Sequence, residues 1–168
     1  MTAPWLDIVL VAVFILIGGV FAATELALVS LREGQARALA EKGRRGERVA
    51  HLVANPNRFL AAVQVGVTLA GFLSAAFGAA RLAVPVSDGL EGLGVAAGPS
   101  DTIALVLVTL IISYFSLVFS ELVPKRLGLQ RAEGYATLVA PTLDRIATLA
   151  RPVVWLLSRS TNAVVKLL

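Results

Sequence analysis

Polar and apolar positions divide this chain into three long apolar runs separated by charged segments. Ile8 to Ala23 is almost wholly apolar, and its helical pattern continues through Thr24-Glu25-Leu26-Ala27-Leu28-Val29-Ser30. Phe59 to Ala80 and Thr102 to Val123 are the other two runs. Each is about 20 residues long, enough to cross ~30 Å of hydrocarbon at a rise of about 1.5 Å per residue. In lipid only helices and closed barrels satisfy every backbone polar group. The runs are continuous rather than alternating, so they read as helices. The pattern predicts an all-α integral membrane domain with spans over about 4–30, 59–81 and 101–124.

The intervening segments set the orientation. Residues 31–57 carry Arg32, Arg37, Lys42, Arg44, Arg45 and Arg48 against Glu33, Glu41 and Glu47. Their apolar positions, Ala36, Leu39, Ala40 and then Val49, Leu52, Val53, are helically spaced and interrupted by Gly43 and Gly46. This predicts two short helices on the membrane surface. Asn55-Pro56-Asn57 is a turn signal before the second span. Residues 82–100 hold Pro85, Pro99, several glycines and the acids Asp88 and Glu91, and read as an external loop. Lys125, Arg126 and Arg131 follow the third span. The excess of basic residues beside the 31–57 segment and after residue 124 places the N-terminus outside and the C-terminus in the cytosol. No Lys or Arg precedes Arg32, so the first run reads as a retained span rather than a signal peptide. Residues 130–168 predict a pair of amphipathic juxtamembrane helices divided by Pro141 and Pro152. Asp144, Arg145, Thr148, Arg151, Ser158, Arg159, Asn162 and Lys166 form their polar stripe. The last residues are Lys166-Leu167-Leu168, and the expectation is that soluble domains follow them.

Composition agrees with this reading. The chain has 168 residues, of which 57% are hydrophobic and 15% charged, against about 25% charged in soluble domains. The absence of cysteine excludes disulfides and thiolate metal sites. The net charge of +4 follows membrane topology and gives no reason to invoke nucleic acid. His51, the single histidine, reads as a surface residue. With no Ser/His/Asp set, no HExxH and no phosphate-binding glycine loop, nothing points to an enzyme.

The polar residues inside the spans are the candidate chemistry. Phe119-Ser120-Glu121-Leu122-Val123-Pro124-Lys125 closes the third run. A carboxylate at a helix centre in lipid costs about 2.5–3.5 kcal/mol on insertion scales. Pro124 removes a backbone donor and loosens a carbonyl one turn back, near Ser120. Ser113, Ser116 and Ser120 share a face by spacing. The first span contributes Thr24 and Glu25, and the second Gln64 and Thr68, with Ser74 nearby. All are hard oxygen donors of the kind that suit Mg²⁺ or Na⁺. Allowing for the alternating direction of the spans, they fall at similar depth, as one site would require. Plainer readings stand beside this one: Glu121 and Glu25 as acids at the headgroups, Lys125 snorkelling, and the serines capping helix carbonyls. Three spans are few for a transporter, which suggests a dimer.

At these residues the chain resembles the transmembrane domain of the CorC/CNNM (cyclin M) magnesium transporters. The resemblance lies in Phe21-Ala22-Ala23-Thr24-Glu25-Leu26-Ala27, Asn55-Pro56-Asn57-Arg58-Phe59-Leu60, Gln64-Val65-Gly66-Val67-Thr68-Leu69 and Ser120-Glu121-Leu122-Val123-Pro124-Lys125, in that order. It implies a homodimer of three-helix units with a juxtamembrane helical belt, in a bacterial plasma (inner) membrane. It implies transport of Mg²⁺, with export coupled to Na⁺, and regulation by nucleotide-binding cytosolic CBS domains. Glu121 matches the family's acid in the third span, with the Ser120 carbonyl beside it. Relatives commonly carry Ser where this chain has Ala22, which leaves only a backbone carbonyl there, with Thr24 or Glu25 as substitutes. A non-conducting, Mg²⁺-sensing membrane anchor and dimerisation module is the alternative reading.

Overall fold

The computed structural model describes residues 4–167. Met1–Ala3 and Leu168, on which the expectations for the two chain ends fall, lie outside the described residues. The described chain is helical with short breaks, in eight α-helices and one π-helical turn: α1 (Pro4–Ser30), α2 (Glu33–Ala40), α3 (Arg44–Ala54), α4 (Pro56–Gly92), α5 (Ala97–Ser116), the π-turn Leu117–Leu122, α6 (Val123–Gln130), α7 (Ala132–Leu149) and α8 (Arg151–Leu167). Three segments are long and apolar enough to cross a membrane: Trp5–Ser30, Phe59–Gly92 and Ala97–Gln130. The helices group into two compact units. Unit one holds the chain up to Val20 together with Val67–Pro124, and unit two holds Phe21–Gly66 with Lys125–Leu168.

In unit one, α1, α4 and α5 pack through Val11, Ile15, Val108 and Ile112, with Phe77, Leu82 and Val86 against them. The Phe14 and Phe77 rings lie 5.6 Å apart. Large apolar side chains remain on the outer faces, such as Ile17, Phe72, Leu110 and Leu122. A span that meets lipid has no reason to bury them.

The expected external loop at 82–100 is largely helical. α4 runs on to Gly92 with Pro85 inside it, and only Leu93–Ala96 separates it from α5. Pro85 deletes one backbone hydrogen bond, a loss that membrane helices tolerate where neighbouring groups supply other partners. A side-chain network ties this end down. The Ser87 hydroxyl lies 2.7 Å from Asp101 Oδ1 and 3.0 Å from the Ser100 hydroxyl, which in turn is 3.2 Å from Glu91 Oε1.

Unit two packs the predicted surface helices against α7. α2 buries Ala36 and Leu39, α3 buries Gly46, Val49 and Leu52, and α7 buries Ala136, Ala140, Leu143 and Ala147. The Gln35 side chain accepts the Arg32 backbone N–H at 3.0 Å, closing the start of α2. Gly43 makes the α2–α3 turn at φ 120°, a conformation that L side chains disfavour. Gly46 does a different job. A β-carbon there would collide with the Leu39 carbonyl and come within 3.0 Å of the Ala40 nitrogen. Gly46→Ala is therefore expected to destabilise the protein by about 1–3 kcal/mol, read as a lower melting temperature in detergent. An unchanged melting temperature would mean that α2 and α3 do not pack this closely.

Proline placement in the tail also departs from expectation. Pro141 lies inside α7, and the break falls at Ala150, with Pro152 in the first turn of α8, where its missing N–H costs little. The apolar residues of α8, including Trp155, Leu156, Val164 and Val165, are exposed.

Candidate functional site

The third span is not a uniform helix. From Leu117 to Leu122 its turn widens to a π-helix, in which the Val123 N–H bonds the carbonyl of Val118, five residues back. The next residue, Pro124, has no N–H to offer Phe119 or Ser120. Ser120 and Glu121 lie inside this turn. π-turns of this kind recur at functional sites. Of the three serines expected on one face, Ser113 is exposed, Ser116 half-buried and Ser120 buried; the buried line of α5 runs through Ala104, Val108 and Ile112, four residues before Ser116. Glu121 is half-buried.

The other spans of unit one meet this turn at small residues. Gly18 and Gly19 of α1 are buried against it. A β-carbon on Gly18 would run into the Ser120 hydroxyl and sit 3.5 Å from Ala70 Cβ of α4. One on Gly19 would lie 2.7 Å from the Phe119 carbonyl oxygen and 2.9 Å from Pro124 Cγ. Two glycines thus let α1 approach the backbone of the π-turn, and Ala70 completes a three-span junction around Ser120.

The second span differs from the sequence reading. Thr68 and Gln64 are both exposed, while Ser74 is fully buried. The Ser74 hydroxyl has no hydrogen-bond partner, an unusual state for a buried polar atom. It lies one turn along α4 from Ala70 and one turn before the buried Gly78. The signal for this face was the four-residue spacing of Ala70, Ser74 and Gly78, which the more polar Gln64 and Thr68 outweighed.

The remaining candidates belong to unit two. Ala22 and Thr24 are buried, Glu25 is half-buried, and Gln64 is exposed. Thr24 hydrogen-bonds the Tyr135 hydroxyl of α7, and burial raises the pKa of that phenol above its ordinary value, an effect the Thr24 bond partly offsets. Close approach recurs here as well. A β-carbon on Gly128 would collide with the Ala23 carbonyl, and one on Gly66 would lie 2.8 Å from the Phe21 ring. Gln64 lines a cavity of about 350 Å³ with Ser158, Thr161 and Asn162 of α8.

Among the described residues no three or more His, Cys, Asp or Glu side chains cluster as a metal site. The donor set at the π-turn is therefore one carboxylate with hydroxyl and carbonyl oxygens. Such a set is suited to a hard cation that keeps part of its water. It offers neither the imidazole nor the thiolate that softer metals favour.

Three membrane-length helical segments, the last broken by a π-turn at an acid and packed on paired glycines, define a helical membrane domain. The chain matches the cyclin M transmembrane N-terminal domain over residues 9–168, and it belongs to that family. It is 38% identical over 163 residues to the UPF0053 protein sll0260 of Synechocystis sp., an alignment covering 96% of this chain and 36% of that protein. The UPF0053 protein YugS of Bacillus subtilis is 30% identical over 94% of this chain and 38% of its own length. The polyamine export protein of Haemophilus influenzae is 29% identical over 95% of this chain and 37% of its own. The chain thus spans little more than a third of the length of these relatives.

Proposed function

We propose that this domain carries Mg²⁺ across the membrane, exporting it in exchange for Na⁺, as a homodimer whose basic face lies in the cytosol. The observation that carries this reading is the Ser120–Glu121 pair, set in a π-turn and packed on Gly18 and Gly19 of the first span. Glu121 supplies the charge. The Ser120 and Ser116 hydroxyls and the π-turn carbonyls supply neutral oxygens around it, replacing part of the ion's water shell. A helix broken at the ion's depth is the usual way in which membrane transporters expose backbone oxygens to a cargo. In unit two, Thr24 anchors α7 through Tyr135, and Glu25 is the second carboxylate of the apolar runs. Soluble CBS-type domains in the longer protein would regulate the flux.

A second cargo is favoured by the name of the Haemophilus influenzae relative, a polyamine export protein. A polyamine carries several ammonium groups along a flexible chain and calls for several spaced acids. Glu25 and Glu121 are the carboxylates of the apolar runs, and one acid surrounded by hydroxyls suits a compact ion better. The full-length protein in liposomes separates the readings. Mg²⁺ uptake or release that depends on a Na⁺ gradient, with spermidine neither carried nor competing, is the expected result. Spermidine flux without Mg²⁺ flux would replace the cargo. Flux of neither would favour a non-conducting, Mg²⁺-sensing anchor.

A further inference from the structure

The α2–α3 turn carries a concentration of charge that the transport reading does not use. Lys42, Arg44 and Arg45 are exposed and line a cavity of about 610 Å³ together with Glu133, Thr137 and Leu138 of α7. Among the described residues the salt bridge of this hairpin joins Arg37 to Glu33 on α2, at 3.9 Å, and none forms at the three cations of the turn. Glu133, the acid of the cavity wall, already accepts a hydrogen bond from Gln35 Nε2 at 3.1 Å. Three cations against one acid leave the wall with a net charge of +2.

The position of the cavity selects its occupant. α2 begins three residues after α1 ends at Ser30, and α3 ends two residues before α4 begins at Pro56. α7 starts two residues beyond Gln130, where the third membrane-length segment stops. The helices that line the cavity therefore join span ends within a few residues, and the α2–α3 turn rests on the first turns of α7, so the cavity lies on the side of the membrane where these span ends emerge. The wall is also two-sided. Leu138 is an apolar side chain 66% exposed at its rim, facing the same space as the cations. Fixed cations beside an exposed apolar edge match a lipid, with its phosphate head and acyl chain, better than a free inorganic ion. Basic clusters close to spans attract anionic lipids through their surface potential.

We propose that Lys42, Arg44 and Arg45 form a binding site for the phosphate headgroup of an anionic phospholipid, with Leu138 against its acyl region. The test uses the full-length protein in detergent and native mass spectrometry, counting retained phosphatidylglycerol against phosphatidylcholine. Each cation is worth roughly fivefold at an anionic surface, so Lys42→Gln/Arg44→Gln/Arg45→Gln should retain phosphatidylglycerol about a hundredfold more weakly. Arg151→Gln/Arg159→Gln/Lys166→Gln, the same charge change on α8, should leave retention as in wild type. Raising the salt should strip phosphatidylglycerol from the wild-type protein, a readout that stands even where the triple variant fails to fold. Equal retention of the two lipids, no salt dependence, or a folded triple variant that binds as wild type does would each overturn the proposal. Displacement of the lipid by soluble glycerol phosphate at the same concentration would reassign the site to free anions and overturn the lipid as occupant.

Discussion

Glu121→Gln is expected to abolish Mg²⁺ flux and to leave the protein at least as stable as wild type. The two halves of this expectation have one cause. A half-buried carboxylate among apolar helices loses hydration that its partners replace only in part. The amide has nearly the same shape and no charge, so the packing around Ser120 and Gly18 has no reason to change. A divalent ion, however, loses the one formal charge that the π-turn offers and must give up water to neutral oxygens alone, which Mg²⁺ does reluctantly. Flux in liposomes should fall below about one-tenth of wild type, a rise of more than ~1.4 kcal/mol in the transport barrier. The melting temperature in detergent should hold or rise. Mg²⁺ should stabilise wild type but not the variant, since only a ligand of the folded state shifts its melting. A variant with wild-type flux would return Glu121 to a plain role at the helix end. A variant that lost flux together with its fold would make the carboxylate structural.

The spans were legible because their signal is redundant: predominantly apolar runs of about 20 residues without alternation leave a membrane-crossing helix as the option. The surface helices at 33–40 and 44–54 were legible for a similar reason, since Ala36, Leu39, Val49 and Leu52 repeat at helical spacing and all four are buried. The site was legible in part. Glu121 and Pro124 announce a disturbed helix end, because an acid and a proline are both costly inside a span. The form of the disturbance was not visible, since a regular helix and a π-turn differ in one hydrogen-bond offset and carry the same residues. The face through Ser113, Ser116 and Ser120 fails for another reason: inside α5 the buried line runs through Ala104, Val108 and Ile112 and leaves Ser113 exposed. In the second span polarity is a poor sign of the inward face. Gln64 and Thr68 point outward, and the inward residue is Ser74, whose neighbours Ala70 and Gly78 mark it by size. Prolines were over-read for the same reason throughout. Pro85 and Pro141 lie inside helices because contacts distant in sequence hold those helices, among them the Ser87–Asp101 bond, and a local rule does not see such contacts.

The second large effect concerns a residue with no chemistry of its own. Gly19→Ala is expected to cost more than Gly18→Ala, although the two are adjacent and equally buried. The β-carbon added at Gly18 meets the Ser120 hydroxyl, a single oxygen at the end of a rotatable bond, which turns aside with a small loss of packing. The one added at Gly19 meets the Phe119 carbonyl at 2.7 Å and Pro124 Cγ at 2.9 Å. Neither can turn, because the carbonyl belongs to the backbone of the π-turn and the ring is fixed by proline. α1 must then move away from the turn or the turn must rewind. Overpacking of this kind costs about 1–3 kcal/mol and sometimes more, and the displaced atoms are the ones that place Ser120 and Glu121. Gly19→Ala should lower both the melting temperature and the Mg²⁺ flux, whereas Glu121→Gln lowers flux alone. Gly18→Ala should lie close to wild type in melting and lose only part of its flux. Melting curves of the three variants in one detergent, with flux from the same preparations, give the comparison. Equal penalties at Gly18 and Gly19 would mean that α1 is held by general small-residue packing rather than by its approach to the Phe119 carbonyl.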